Sequence, residues 1–475
     1  MTGDVVSHPL FGRGQIVELR NAAREAAVRF DNGIRAVVQT NMLSTLATSA
    51  AASIDLASHF QSAKQIIAAP RTAEDVKRIE ARHTIEALRY GVVPAKRIRE
   101  LSVGLESERA SLQTAIANVE RDGGDVRVVL GEYGAGKSHF FEFAAQEALA
   151  HNFIVATTSL DTREVPPNRP QRIYNSLMRS LRYPEAPDAA GSLTPLLERI
   201  VTQPKLYAEL VEDLRGTFFS SALYNYSLMR ERQDEALTLL LDWMAGEKVI
   251  IKQVRDAVAL RSKETPIPTL SQMTTAADQY CYLLNGWGWL AKRAGYAGLA
   301  VFIDESEHYS LLTQRGQERA DNFFKGLIYT ALAARPDCRV QQEHLEHQYR
   351  PHPFRLKERS QLLVLFAVTP SASTFDYRRW LDEEQILSLS KYLSAAALDD
   401  LMARLYVLHR QAYSYDNAHR YLDVSQGLLD CLDSNLLNLR QTIRLAVEIY
   451  DRCYAHPDYT AAEAVSELRR ALLGR

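Results

Sequence analysis

The run Gly131-Glu132-Tyr133-Gly134-Ala135-Gly136-Lys137-Ser138 carries the most specific chemistry in the chain. Its spacing, Gly-x-x-x-x-Gly-Lys-Ser, is the Walker A pattern of a loop that cradles phosphate. Glycines let the backbone curl so that successive N–H groups converge on an anion. A helix that begins here adds the positive end of its dipole. Lys137 would bring a point charge to the β- and γ-phosphates, and the Ser138 hydroxyl would serve Mg2+. An apolar run at 126–130 precedes the loop and a helical run at 140–149 follows it, which is the context the pattern requires. The expected cofactors are ATP and Mg2+. Gly131, Glu132, Tyr133, Gly134, Ala135, Gly136, Lys137, Ser138 and His139 form the expected nucleotide contact surface.

Three further segments are candidates for the same site. Leu299-Ala300-Val301-Phe302-Ile303 is an apolar strand that ends in Asp304-Glu305. Read alone, an acidic pair there is equally well a strand cap. Beside the Gly-rich loop it fits a Walker B strand, in which Asp304 holds Mg2+ through water and Glu305 orients and deprotonates the attacking water. Glu307 and His308 follow and read as surface residues. Thr369 closes the run Phe366-Ala367-Val368, and a polar residue at the carboxyl end of a buried parallel strand sits where ligands bind. A turn begun by Thr369-Pro370 is the plainer alternative. Asn438-Leu439-Arg440 opens a periodic helix with Ile443, Leu445, Ala446 and Ile449. Arg440 in its first turn is placed to reach back to the γ-phosphate, although helical arginines are usually solvated. Arg335, Arg355 and Arg359 lie between the acidic strand and the Thr369 strand, where an arginine finger would come from, and ordinary surface arginines are the plainer reading of each.

The elements that must position these residues follow from periodicity. Short β-branched runs at 5–8, 15–19, 26–30 and 34–38, with Asn32-Gly33 between two of them, suggest a small β-barrel at 1–46. An Ala- and Ser-rich stretch ending at Pro70 makes 47–79 a linker with a helix. Apolar strands at 126–130, 153–158, 299–303 and 362–368 separated by helical patterns indicate a parallel α/β core over 80–383. A helical insertion occupies about 170–294, and a C-terminal helical lid spans 384–475. Composition is that of a globular protein, 46% hydrophobic and 24% charged. A net charge of -2 gives no global basic field and argues weakly against nucleic-acid binding. The four cysteines, Cys281, Cys338, Cys431 and Cys453, have no C-x-x-C spacing and read as buried thiols in a reducing compartment. The N-terminus lacks a signal-peptide pattern, and no apolar run reaches the roughly 18 residues of a membrane span, so a cytoplasmic location is expected.

Walker A, an Asp-Glu Walker B, a polar residue after a strand and a late helical arginine occur in the order of an AAA+ ATPase, and the chain resembles the initiator and STAND-like branch. Gly131 through Phe140 resembles, more closely, the Walker A of the BREX-type phage-defence ATP-binding proteins. Ile85-Glu86-Ala87-Leu88-Arg89-Tyr90-Gly91-Val92-Val93-Pro94, Trp243-Met244-Ala245-Gly246-Glu247, Gly295-Tyr296-Ala297-Gly298-Leu299 and Leu439-Arg440-Gln441-Thr442-Ile443-Arg444 share that likeness. The resemblance covers roughly 80–455. It implies ATP hydrolysis with Glu305, Thr369 (sensor 1) and Arg440 (sensor 2) as catalytic residues and with Ser138 and Asp304 at the metal. It also implies anti-phage defence with other defence-system proteins as partners, double-stranded DNA or a DNA-bound assembly as target, and a homo-oligomer. The stretch after Arg440 is too short for an initiator-type winged helix, which weakens carry-over of that DNA-binding mode. Gly3 to Gly14 resembles the Tudor- or SH3-like barrels of helicases and transcription-coupling regulators, which implies a partner-recruiting adaptor. The alternative from another class is a nucleotide-dependent switch or scaffold with little turnover.

Overall fold

The computed structural model describes residues 5–8, 12–20, 24–30, 35–40, 44–45 and, from 72 onward, all but 95, 232–234, 260–266, 269–274, 305–308, 310, 333, 348–352, 371–374, 391–392, 416–423, 425, 429–437, 457 and 474–475. Its contacts divide into two units, Met1–Thr72 and Ala73–Arg475.

In the first unit, β1 (Val5–His8), β2 (Gly12–Arg20), β3 (Glu25–Phe30), β4 (Arg35–Gln39) and β5 (Ser44–Thr45) form one antiparallel sheet in the order β4-β3-β2-β1-β5. Alternation along β3 sends Ala26, Val28 and Phe30 inward to pack with Val6 and Ile16. A bulge between Ile16 and Glu18 interrupts the β2–β3 register.

The second unit is mixed α/β. It begins with α1 (Ala73–Arg89), the short α2 (Ile98–Leu101) and α3 (Glu106–Asp122). Then come β6 (Gly124–Leu130), α4 (Lys137–Ala150), β7 (Phe153–Ser159) and α5 (Pro170–Arg179). The region expected to be a helical insertion contains α6 (Thr194–Val201), α7 (Pro204–Asp213), α8 (Phe218–Met229), α9 (Glu235–Met244), α10 (Ile251–Ala259) and α11 (Ala276–Arg293). It also contains a hairpin, β8 (Leu181–Tyr183) and β9 (Ala186–Gly191). The chain returns as β10 (Gly298–Asp304), α12 (Gln314–Leu332), β11 (Leu362–Val368), α13 (Tyr377–Trp380) and β12 (Ile386–Ser388). It ends with α14 (Ala395–Tyr413), α15 (Leu439–Ala455) and α16 (Ala461–Leu473).

The sheet has seven strands in the order β12-β6-β11-β10-β7-β8-β9. Those from β12 to β7 are parallel, and the β8–β9 hairpin adds antiparallel strands at one edge. Both faces of the parallel part are covered, so its strands read as continuous apolar runs. Val129, Phe153, Val155, Ala300, Phe302, Leu363 and Leu365 pack toward α3 and α4. Val128, Ile154, Ala156, Val301, Val364 and Phe366 join the cluster built with α5, α11 and α12. Strand β12 falls where the sequence suggested only helix. Three residues at a sheet edge, two of them half-buried, leave no period to read.

A separate cluster joins α1 to α14, α15 and α16 through Ile85, Leu88, Leu401, Met402, Leu405, Ala446, Val447 and Tyr450. The first helix of this unit therefore packs on the last ones. Arg89 at its end reaches Asp451 at 2.9 Å, and the buried His409 meets the same carboxylate at 2.9 Å. Cys281, Cys338 and Cys453 are buried free thiols, while Cys431 lies outside the described residues. No helix among the described residues is long and apolar enough to cross a membrane.

Candidate functional site

The loop of Gly131 to Gly136 leaves the carboxyl end of β6 and turns into α4. Gly134 (φ +85°) and Gly136 (φ +92°) are both left-handed, a region closed to most side chains. Gly136 is the N-cap of α4 and offers no capping side chain. The first-turn amides of α4 are thus not satisfied by a cap, the condition under which a helix start accepts an anion.

Three segments distant in sequence converge on this turn. The parallel register sets Val368 beside Leu130, and the Gly131 N–H donates to the Val368 carbonyl at 3.1 Å. Thr369 is thereby brought next to the loop. Lys137, 9% exposed, donates from Nζ to the Gly131 carbonyl at 2.8 Å and to Thr369 Oγ1 at 2.7 Å. Asp304 ends β10, which lies on the far side of β11 from β6. The Ser138 hydroxyl donates to Asp304 Oδ2 at 2.9 Å. A hydroxyl and a carboxylate oxygen are hard donors, of the kind that suits Mg2+. Glu305, Glu307 and His308 lie outside the described residues.

Helix α15 begins beside the loop. Asn438 caps it with a reciprocal bond to Gln441, and the Asn438 Cγ lies 3.4 Å from where a Cβ on Gly134 would stand. Arg440 in the first turn is exposed, and its guanidinium carbon sits 5.8 Å from the ring centre of Tyr133, a loop residue that is itself 73% exposed. Arg440 therefore stands at the loop, against Tyr133.

Of the other arginines, Arg335 pairs with Asp125 at 2.8 Å and with Asp337. Arg355 stacks over Tyr329 at 5.0 Å. Arg359 donates to the Glu120 and Arg121 carbonyls. Asp125, Glu120 and Arg121 belong to the amino end of β6 and the helix before it, so Arg335 and Arg359 stand at the end of the sheet opposite the loop.

The loop, Asp304 and Arg440 line a cavity of about 390 Å3. Lys137, Ser138 and Asp304 make it polar at one end. The rest of its lining mixes apolar residues, Val92, Val93, Leu101, Val103, Leu389 and Leu439, with the polar Glu106, Glu108, Ser390 and Ser394. These wall residues were hard to read from the sequence, because they come from the end of α2, the start of α15, the chain beside α2 and the segment after β12. The one available signal was Gly91-Val92-Val93-Pro94, an apolar stretch without helical or strand period. His139 is half-buried in the first turn of α4, and its Nε2 lies 2.9 Å from Ser102 Oγ. Burial pushes its imidazole down to about 4. Ser102 was not foreseen.

The fold and this site define a mixed α/β protein with a glycine-rich strand-to-helix turn facing a strand-end carboxylate. Residues 76–212 match the model of the family described as BREX system ATP-binding protein BrxC/D, so the chain is similar to that family over this stretch. The matched stretch contains the whole Gly-rich loop but ends before Asp304, Thr369 and Arg440. No relative among curated proteins matches the chain.

Proposed function

We propose that the chain is an AAA+-type P-loop ATPase of a BREX-like phage-defence system. ATP lies with its phosphates on the 131–138 loop and its base against the apolar walls of the cavity. The observation that carries this reading is the convergence of Lys137 with Thr369 and of Ser138 with Asp304 at one end of that cavity. Lys137 holds the β- and γ-phosphates, and Ser138 and Asp304 hold Mg2+, directly and through water. Mg2+ bound there supplies charge neutralisation on the transferring phosphoryl group. Glu305, the residue after Asp304, positions and deprotonates the attacking water. Thr369 holds Lys137 in line, and Arg440 reports closure of the lid helices on the nucleotide. The core with its insertion, the lid at 384–475 and the N-terminal sheet as a Tudor/SH3-like partner-recruiting barrel form the working parts. The family description supports other defence-system proteins as partners. Action on double-stranded DNA, assembly as a homo-oligomer and a cytoplasmic location belong to the same reading.

The test is Glu305→Gln. It should bind ATP within a few-fold of wild type and hydrolyse it roughly 100-fold more slowly or worse, the range for loss of general-base catalysis. Unchanged hydrolysis would remove Glu305 from its role. ATP binding without turnover in either protein would make the chain a nucleotide-dependent switch or scaffold.

A further inference from the structure

The wall at Leu101–Leu105 and helix α4, which carries Lys137 and Ser138, are joined by a part-buried hydrogen bond between two side chains. Leu101, Val103 and Leu105 are wall residues. Ser102 stands between the first two and is 5% exposed. Its hydroxyl lies 2.8 Å from the Ile98 carbonyl and 2.9 Å from His139 Nε2. A carbonyl can only accept, so the single hydroxyl proton goes to Ile98, and the His139 Nε2–H must be the donor to Ser102. This fixes Nε2 as the protonated nitrogen toward Ser102. His139 follows Lys137 by two positions in the first turn of α4.

Other contacts join these elements without fixing them as closely. Ile98 packs in the same core cluster as Phe140 and Phe143, and apolar packing is non-directional. Arg99 pairs with Glu147 at 2.8 Å, but the arginine is 49% exposed, and such pairs hold geometry weakly. The Ser102–His139 hydrogen bond is directional, and its serine end is buried.

We infer that Ser102 and His139 are a positioning pair that holds the base-side wall at a set distance from the phosphate-binding helix, and so governs affinity for the purine base of the nucleotide rather than for its triphosphate. The inference rests on the ATP reading above. On that reading the purine lies against the Leu101–Leu105 wall and the ribose joins it to the phosphates, so a slackened wall loses contact with the base alone. A pyrimidine nucleotide with the same ribose and triphosphate makes less use of that wall.

The test compares ATP and UTP binding, each with Mg2+, to the full chain and to Ser102→Ala, His139→Ala and His139→Gln. Wild type should prefer ATP by about tenfold or more. Ser102→Ala and His139→Ala should lose about fivefold to tenfold in ATP affinity, the range for one buried hydrogen bond, with UTP affinity within about twofold of wild type. His139→Gln keeps an N–H donor close to the Nε2 position and should retain the preference for ATP. Thermal unfolding checks that each variant is folded; Ser102→Ala, which removes one oxygen atom, carries the test if the histidine variants are not. An equal loss for ATP and UTP, no loss for either, or a wild type indifferent to the base would overturn the positioning role. A wild type that binds neither nucleotide would instead overturn the ATP reading itself.

Discussion

Lys137 is tied down on two sides, by the Gly131 carbonyl and by the Thr369 hydroxyl. A lysine ammonium on a flexible stem is otherwise free to roam, and fixing it beforehand lowers the entropy lost on binding phosphate. Lys137→Ala should weaken ATP binding by roughly 10- to 100-fold, the worth of a charge-assisted contact. Thr369→Ala should leave ATP affinity within a few-fold and lower turnover about tenfold or more, because it frees the lysine without removing its charge; the split between kcat and KM in a steady-state assay reads this directly. His139 sets a pH dependence. Its ordinary value of 6.5 is lowered to about 4 by burial, so the folded protein binds fewer protons than the unfolded chain between those values. The stability it contributes is complete above about pH 6.5 and is lost as pH falls toward 4. Melting temperature measured across that window should fall less steeply in His139→Gln than in wild type.

At the scale of elements, the contact between α15 and the segment after α1 is the arrangement most exposed to a single change. Gly91, at φ +68°, lies in the turn just after α1, and a Cβ there would stand 3.2 Å from the Arg444 side chain and 3.3 Å from that of Arg440. Both arginines sit on one face of α15, one turn apart. Gly91→Ala is therefore expected to displace them as well as strain the backbone, and to weaken ATP binding by a factor similar to that of Arg440→Ala. Titration of the two variants side by side checks it; full affinity in Gly91→Ala with a clear loss in Arg440→Ala would separate the two. The four apolar parallel strands were readable because burial on both faces writes an unbroken β-branched run, and the Gly-rich loop because its backbone demands particular residues. Asp304 and Thr369 were readable as strand ends once those strands were placed. The walls were not. Val103 and Leu389 are ordinary apolar residues in segments without period, and only the tertiary fold decides that they face a cavity. Ser102 looks like any serine after a short helix. The packing of α1 against α14 and α15 joins the two ends of this unit, a long-range contact that local pattern does not encode.

At the scale of the whole molecule, the unit Ala73–Arg475 keeps its two sheet ends for different tasks. The carboxyl ends carry the candidate site. The amino end carries a buried charge cluster in which Asp125 accepts from Asn118 at 2.6 Å and from Arg335 at 2.8 Å, with Arg127 at 3.4 Å. Removing one partner of a buried pair strands the other charge, so Arg335→Ala should cost about 3 kcal/mol of stability. ATP affinity of the folded variant should not change, because the cluster and the Gly-rich loop lie at opposite ends of β6. Chemical denaturation and nucleotide titration of one sample report both. The central claim is that Ser138 and Asp304, far apart in the chain, form one magnesium-dependent nucleotide site with the loop. Equilibrium ATP binding measured with and without Mg2+ tests it most directly, on wild type, Ser138→Ala and Asp304→Asn. The account expects Mg2+ to tighten ATP binding by wild type about tenfold or more and expects both variants to lose most of that gain. Mg2+-independent binding by wild type, or a full Mg2+ gain in Asp304→Asn, would contradict it.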